Sequence, residues 1–167
     1  MSLLSAVGRR RVPPVEVAAI VAAVAATAGI GAVATGLAVD SRWYRRLDKP
    51  AWQPPGAVFG PVWTVLYALI AASMLDVRRA RGDGSQRQLF VLYGSNLVLN
   101  AAWSWIFFRG RNPLVAGVEI VVLEATTVAL VVQVAPVSRR AAAALVPYAL
   151  WVAFAAALTW AIAARNP

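Results

Sequence analysis

The side chains able to do chemistry in this 167-residue chain are tryptophans, asparagines and a few carboxylates, because it contains no His and no Cys. Without imidazole or thiolate, zinc sites, Ser-His-Asp triads, disulfides and His-ligated haem are excluded, and no metal or cofactor is expected. Glu119 and Glu124 lie inside an apolar stretch. Five positions apart on a helix, they point about 140° away from each other and cannot act as a carboxylate pair on one face. Glu119, near the start of its stretch, is expected to reach the interface or Arg111. Glu124, near the middle, is expected to be protonated or hydrogen-bonded rather than catalytic, since a charge there costs a few kcal/mol. Gly29, Gly31 and Ala34 match the spacing of a dinucleotide fingerprint, but no strand precedes them and no acid follows at the required distance. They read as a site of helix packing.

Seven tryptophans offer a different chemistry. Trp43 and Trp52 suit an interfacial belt, whereas Trp63, Trp103 and Trp151 sit in or at the edge of apolar runs, where converging indoles give flat π surfaces for a flat or polycyclic ligand. Asn96, Asn100, Trp103 and Phe107 recur at helical spacing on one face. A carboxamide at membrane depth needs a partner, either an interhelical hydrogen bond or a polar contact in a ligand pocket. Tyr148, Trp151, Ala155, Leu158 and Ile162 form one side of the last run, fit to line a cavity, and Ala149, Ala153, Ala157 and Ala161 form a ladder on the other. That ladder is expected to pack inside the protomer. A second small-residue seam, Ala25, Gly29, Ala32 and Gly36, lies on the first run.

The elements that must position these residues are membrane spans. Sixty per cent of the residues are apolar, 14% are charged, and mean hydropathy is +0.66. Five runs are long enough to cross a bilayer: Val17–Val39, Val58–Leu75, Leu89–Phe108, Leu114–Val134 and Ala141–Ala164. The spacing predicts helices over about 15–39, 58–77, 88–108, 114–134 and 141–164, in a single all-α, integral membrane bundle of five transmembrane helices. The first run exceeds the apolar core of a signal peptide and is read as a helix.

The net charge of +9 is spread over the ends of these runs rather than gathered in a patch, which argues against a nucleic-acid partner and for a lipid bilayer. With five spans the termini face opposite sides, and nine basic residues on the N-terminal side against seven on the other favour a cytoplasmic N-terminus. Three connections are short. The first, 40–57, is long and carries Trp43, Tyr44, Trp52, four basic residues and Pro50, Pro54 and Pro55. It reads either as an interfacial anchor or as a lid over something held between the helices. The second, Arg78 to Gln88 with Gly82 and Gly84, reads as a solvated connector.

In the segments WYRRLDKPAWQPPGAVFGPVWTVLY (Trp43–Tyr67), NAAWSWIFF (Asn100–Phe108) and PYALWVAFAAAL (Pro147–Leu158), the chain resembles the TspO/MBR family, the tryptophan-rich sensory proteins related to the mitochondrial translocator protein or peripheral benzodiazepine receptor. The resemblance runs from about Gly29 to Asn166. It implies a five-helix bundle, usually a homodimer, with a pocket roofed by the first loop that takes porphyrins such as protoporphyrin IX and, to differing degrees, sterols or benzodiazepine-type ligands. By position, Trp63 and Trp151 correspond to the pocket tryptophans implicated in light-dependent porphyrin breakdown. Trp52, Pro54, Asn100, Phe108 and Ala155 correspond to residues that line or shape the pocket, and Trp103 and Leu158 share helix faces with them. Bacterial members of this kind imply a bacterial membrane and dimers formed through the first and third spans. One departure bears on sterol: the stretch Leu158 to Arg165 carries Trp160 where the cholesterol consensus has Tyr.

The reading that follows is a membrane protein binding porphyrin, or a related flat hydrophobic ligand, as sensor, scavenger or transporter. Its rivals are a light-dependent porphyrin-degrading enzyme and a ligandless structural or chaperone-like partner.

Overall fold

A computed structural model describes residues 11–80 and 86–167. Arg9, Arg10, Arg81, Gly82 and Gly84, on which parts of the charge and loop readings rest, lie outside them. The elements are α1 (Pro14–Gly36), the short α2 (Arg42–Arg46), α3 (Gly56–Ala80), α4 (Arg87–Ser104) continued by a π-helical turn (Trp105–Arg109), α5 (Pro113–Val134) and α6 (Arg139–Arg165). No strand occurs among the described residues. Five of the helices are long and apolar enough to cross a membrane.

Local sequence explains where these helices begin. Pro14 and Pro113 open α1 and α5, where a missing N–H costs nothing. Side chains of Ser41, Asn112 and Ser138 cap α2, α5 and α6 by accepting from Tyr44, Val115 and Ala141 N–H. α1 starts and stops about one turn earlier than its apolar run, and α3 begins at Gly56, directly after Pro54 and Pro55, so that Pro61 falls in its second turn.

The five spans close into a ring in the order α1, α3, α6, α5, α4 and back to α1. Each span has two neighbours and keeps an outer strip for lipid, populated by Val21, Val33, Val65, Val98, Val121, Val132 and Leu150. Small residues make room for a neighbour at two contacts. A Cβ at Gly117 would stand 3.1 Å from the Trp160 indole, so α5 supplies the hollow in which that α6 ring rests. A Cβ at Gly31 would stand 3.3 Å from Ser104 Oγ, where α1 meets α4.

The ring geometry corrects the expectation for the α6 ladder. Ala153 and Ala157 are exposed, with Ala149 and Ala161 half-buried, because α6 meets α5 and α3 through Leu145, Tyr148, Val152, Ala155 and Thr159 instead. On α1, Ala25, Gly29, Ala32 and Gly36 all face outward as well.

Candidate ligand site

A hydrogen-bond chain crosses the middle of the bundle. Tyr67 Oη on α3 donates to Asn100 Oδ1 (2.6 Å), Asn100 Nδ2 donates to Tyr148 Oη on α6 (3.1 Å), and Tyr148 Oη donates to Asn96 Oδ1 (3.0 Å). Asn96 Nδ2 then donates to Thr126 and Thr127 Oγ1 on α5, each at 2.9 Å, and both threonines donate to the Leu123 carbonyl. Four spans are thereby tied at a depth where lipid offers no partner. Of the two readings of Asn96 and Asn100, interhelical bonding is the one this geometry displays.

Between this chain and the first loop the interior is aromatic. Trp63 on α3 lies 5.5 Å from Tyr67 and 6.3 Å from Tyr148, centroid to centroid. Trp151 on α6 packs against Phe59 (5.7 Å) and Phe154 (5.2 Å), and Trp103 on α4 stacks on Phe107 (5.3 Å) and meets Phe108 edge-on (6.0 Å). All three indoles are half-buried. Trp103 and Trp151 share a further property: each has a buried Nε1–H without a hydrogen-bond partner among the described residues. Trp105, by contrast, donates to the Ile30 carbonyl. Ala155 and Leu158 are buried beneath this end on the same α6 face as Trp151, which places a methyl group next to large rings.

Phe108 reaches this cluster because the backbone departs from an α-helix. Five residues after Trp103, it would point about 140° away in a regular helix. The π turn, closed by Gly110 N–H to the Trp105 carbonyl at 2.8 Å, widens the winding so that Phe107 and Phe108 are both buried. Gly110 is required there, since a Cβ would lie 2.7 Å from the Ile106 carbonyl oxygen. Arg111 follows at φ 52°, and Asn112 then caps α5.

The first loop lies across this aromatic end. Three of its rings each meet a ring from a span: Trp43 on Phe107 (5.9 Å), Tyr44 on Phe108 (5.6 Å) and Trp52 on Phe154 (5.8 Å). Asp48 N–H donates to Asn166 Oδ1 and Asn166 Nδ2 donates to the Asp48 carbonyl, both at 3.0 Å, clasping the loop to the end of α6. Lys49 Nζ donates to the Tyr44 carbonyl and sits 4.1 Å above its ring. Burial raises the Tyr44 phenol pKa, with a hydrogen bond to Gln53 opposing it, and burial lowers that of Lys49. Trp52 is exposed on top and Pro54 is half-buried. Arg42, Arg45 and Arg46 are exposed around the rim.

The sequence-selected residues therefore divide. Trp63, Trp103, Phe108, Trp151, Ala155 and Leu158 gather at the loop end of the bundle with Trp52 above them, while Asn100 belongs to the polar chain below. Sequence reasoning passed over Tyr67, Phe59 and Phe154 as site residues. Tyr67 is four positions after Trp63 and Phe154 three after Trp151, spacings that place them on the same faces. Glu119 departs from expectation: both carboxylate oxygens are buried without a partner among the described residues, and Arg111 does not reach them. Glu124 Oε2 is likewise without one.

A closed ring of apolar helices with an aromatic interior and a loop fastened across one end defines a multi-pass integral membrane protein. The chain belongs to the TspO/MBR family, whose model matches residues 18–165. It is 35% identical over 128 residues to the tryptophan-rich protein TspO of Bacillus cereus, covering 77% of this chain and 83% of that one. Its identity to the TspO of Archaeoglobus fulgidus is 34% over 149 residues (88% and 96%), and to the human translocator protein 36% over 123 residues (72% and 73%).

Proposed function

We propose that this protein binds a porphyrin-type macrocycle, such as protoporphyrin IX, among the aromatic rings beneath the first loop, as a sensor, scavenger or transporter in a bacterial membrane. The observation that carries this reading is the pair of buried indole N–H groups, on Trp103 and Trp151, that find no acceptor among the described residues and lie amid ring faces. A buried donor without a partner costs stability, and a ligand acceptor would recover it. Trp63 and Trp151 supply faces for a flat π system. Arg42, Arg45, Arg46 and Lys49 supply cations for its carboxylates. Benzodiazepine-type ligands share the aromatic character, though not the planarity. A sterol does not, and Trp160, at the Tyr position of the sterol consensus, rests in the Gly117 hollow.

The test is a titration of intrinsic tryptophan fluorescence with protoporphyrin IX. Saturable quenching supports a bound macrocycle among these rings, and purely linear quenching removes it. A light-driven reaction on the bound porphyrin is a second reading, favoured by the placement of Trp63 within ring contact of Tyr67 and Tyr148. Illumination of the complex would then yield a new absorbing product that Trp63→Phe or Trp151→Phe abolishes. Homodimerisation is part of the proposal: the outward seam of Ala25, Gly29, Ala32 and Gly36 lets a second helix approach closely.

A further inference from the structure

At the end of the bundle away from the first loop, a cavity of about 360 Å3 opens between the last turn of α3 and the first turn of α6, lined by Asp76, Arg79, Ala80, Val137, Ser138, Arg139 and Arg140. Three guanidinium groups share it with one carboxylate. That carboxylate is engaged, since Asp76 Oδ2 accepts from Ser138 Oγ at 2.9 Å. Among the described residues none of the three arginines has a salt-bridge partner, whereas neighbouring Arg78 is held by both carboxylate oxygens of Glu16. Arg139 and Arg140 occupy the first turn of a 27-residue helix that has no acid there. Helix starts favour anions and disfavour cations, so this turn concentrates positive charge against its own dipole.

The depth of the cavity narrows what could balance that charge. The apolar run of α3 ends at Leu75 and that of α6 begins at Ala141, so the arginines stand where hydrocarbon gives way to headgroups. Basic pockets between spans at this level suit lipid phosphates, and guanidinium forks match phosphate oxygens.

We propose that this cleft is a phosphate site, and its depth assigns the phosphate to an anionic lipid headgroup. The experiment is native mass spectrometry of the full chain released from detergent micelles containing dioleoyl phosphatidylglycerol, dioleoyl phosphatidylcholine or inorganic phosphate. Three proteins are compared: the wild type, R139Q/R140Q, and R11Q/R87Q, which removes two exposed charges, one just before α1 and one at the start of α4, both outside the cleft. The wild type and R11Q/R87Q should retain phosphatidylglycerol at least tenfold more tightly than phosphatidylcholine, and R139Q/R140Q should lose that preference with helicity unchanged by circular dichroism. R139K/R140K should restore most of it. Equal loss in both double variants would overturn the proposal in favour of diffuse surface charge, and so would equal retention of the two lipids. Inorganic phosphate binding as tightly as phosphatidylglycerol would overturn the lipid assignment.

Discussion

The two ends of the bundle are closed by opposite means. Away from the first loop, polar groups meet polar groups: Arg78 pairs with Glu16, Gln86 donates to the Val77 carbonyl, and Ser73 Oγ bridges Tyr93 and the Ala141 carbonyl at 2.6 and 2.8 Å. Under the loop, rings meet rings and two indole donors have no acceptor among the described residues. Satisfied hydrogen bonds lock helices in register and give a ligand inside the bundle nothing to gain; the arginine cleft between α3 and α6 lies outside this bonded set. Apolar faces with unmet donors hold the helices less specifically and reward an occupant that supplies acceptors. The Asn-Tyr-Thr chain separates the two regimes, so substitutions in it should cost stability, and substitutions among the rings should cost affinity.

The largest effect should come from the boundary itself. Asn96→Ala removes the carboxamide that joins Tyr148 to Thr126 and Thr127, and should destabilise the fold by about 2–3 kcal/mol in denaturant titrations of the micellar protein. A cost below about 0.5 kcal/mol would dissolve the distinction drawn here. Next is Gly117→Val on the packed α5 to α6 seam, where the added atoms meet the Trp160 ring, for a loss of about 1–3 kcal/mol by the same measurement. Trp103→Phe sharpens the contrast. Deleting an unpartnered N–H should change stability by less than about 1 kcal/mol, yet weaken protoporphyrin IX binding about five- to tenfold in fluorescence titration. The reverse pattern, a large stability loss with unchanged affinity, would make Trp103 a structural residue. The smallest effect belongs to Ala153→Leu. As that position faces outward, stability should stay within about 0.5 kcal/mol of wild type. A larger loss would mean that the ladder is covered in the membrane, by a second copy of the chain.

What the sequence made legible follows from periodicity. Long apolar runs delimit five spans, and the inward faces of Asn96 and Asn100 on α4, continued by Phe107 in the π turn, and of Tyr148, Ala155, Leu158 and Ile162 on α6 follow from 3.6-residue spacing, since those residues are buried, with Trp151 half-buried among the latter. Three features were not legible, for identifiable reasons. The π turn at Trp105–Arg109 depends on a Gly110 whose role shows only against the Ile106 carbonyl, so the burial of Phe108 beside Phe107 lay beyond helical spacing. The direction of the α6 ladder depends on how many neighbours each helix has, a property of the ring and not of the strip. The Glu119 carboxyl, without a partner among the described residues, was not legible because proximity in sequence to Arg111 is not proximity across the turn that Arg111 makes at φ 52°.

The central claim is that ligand enters at the ring-lined end and lies beneath the first loop. Both ends carry trypsin sites: Arg42, Arg45 and Arg46 in the loop, and Arg78, Arg79, Arg81 and Arg87 in the second connection. Limited trypsinolysis with and without saturating protoporphyrin IX, read by mass spectrometry, compares them within one sample. Bound porphyrin should slow cleavage in the loop at least severalfold and leave cleavage between Arg78 and Arg87 unchanged. Equal protection of both connections, or protection of the second alone, would contradict the account.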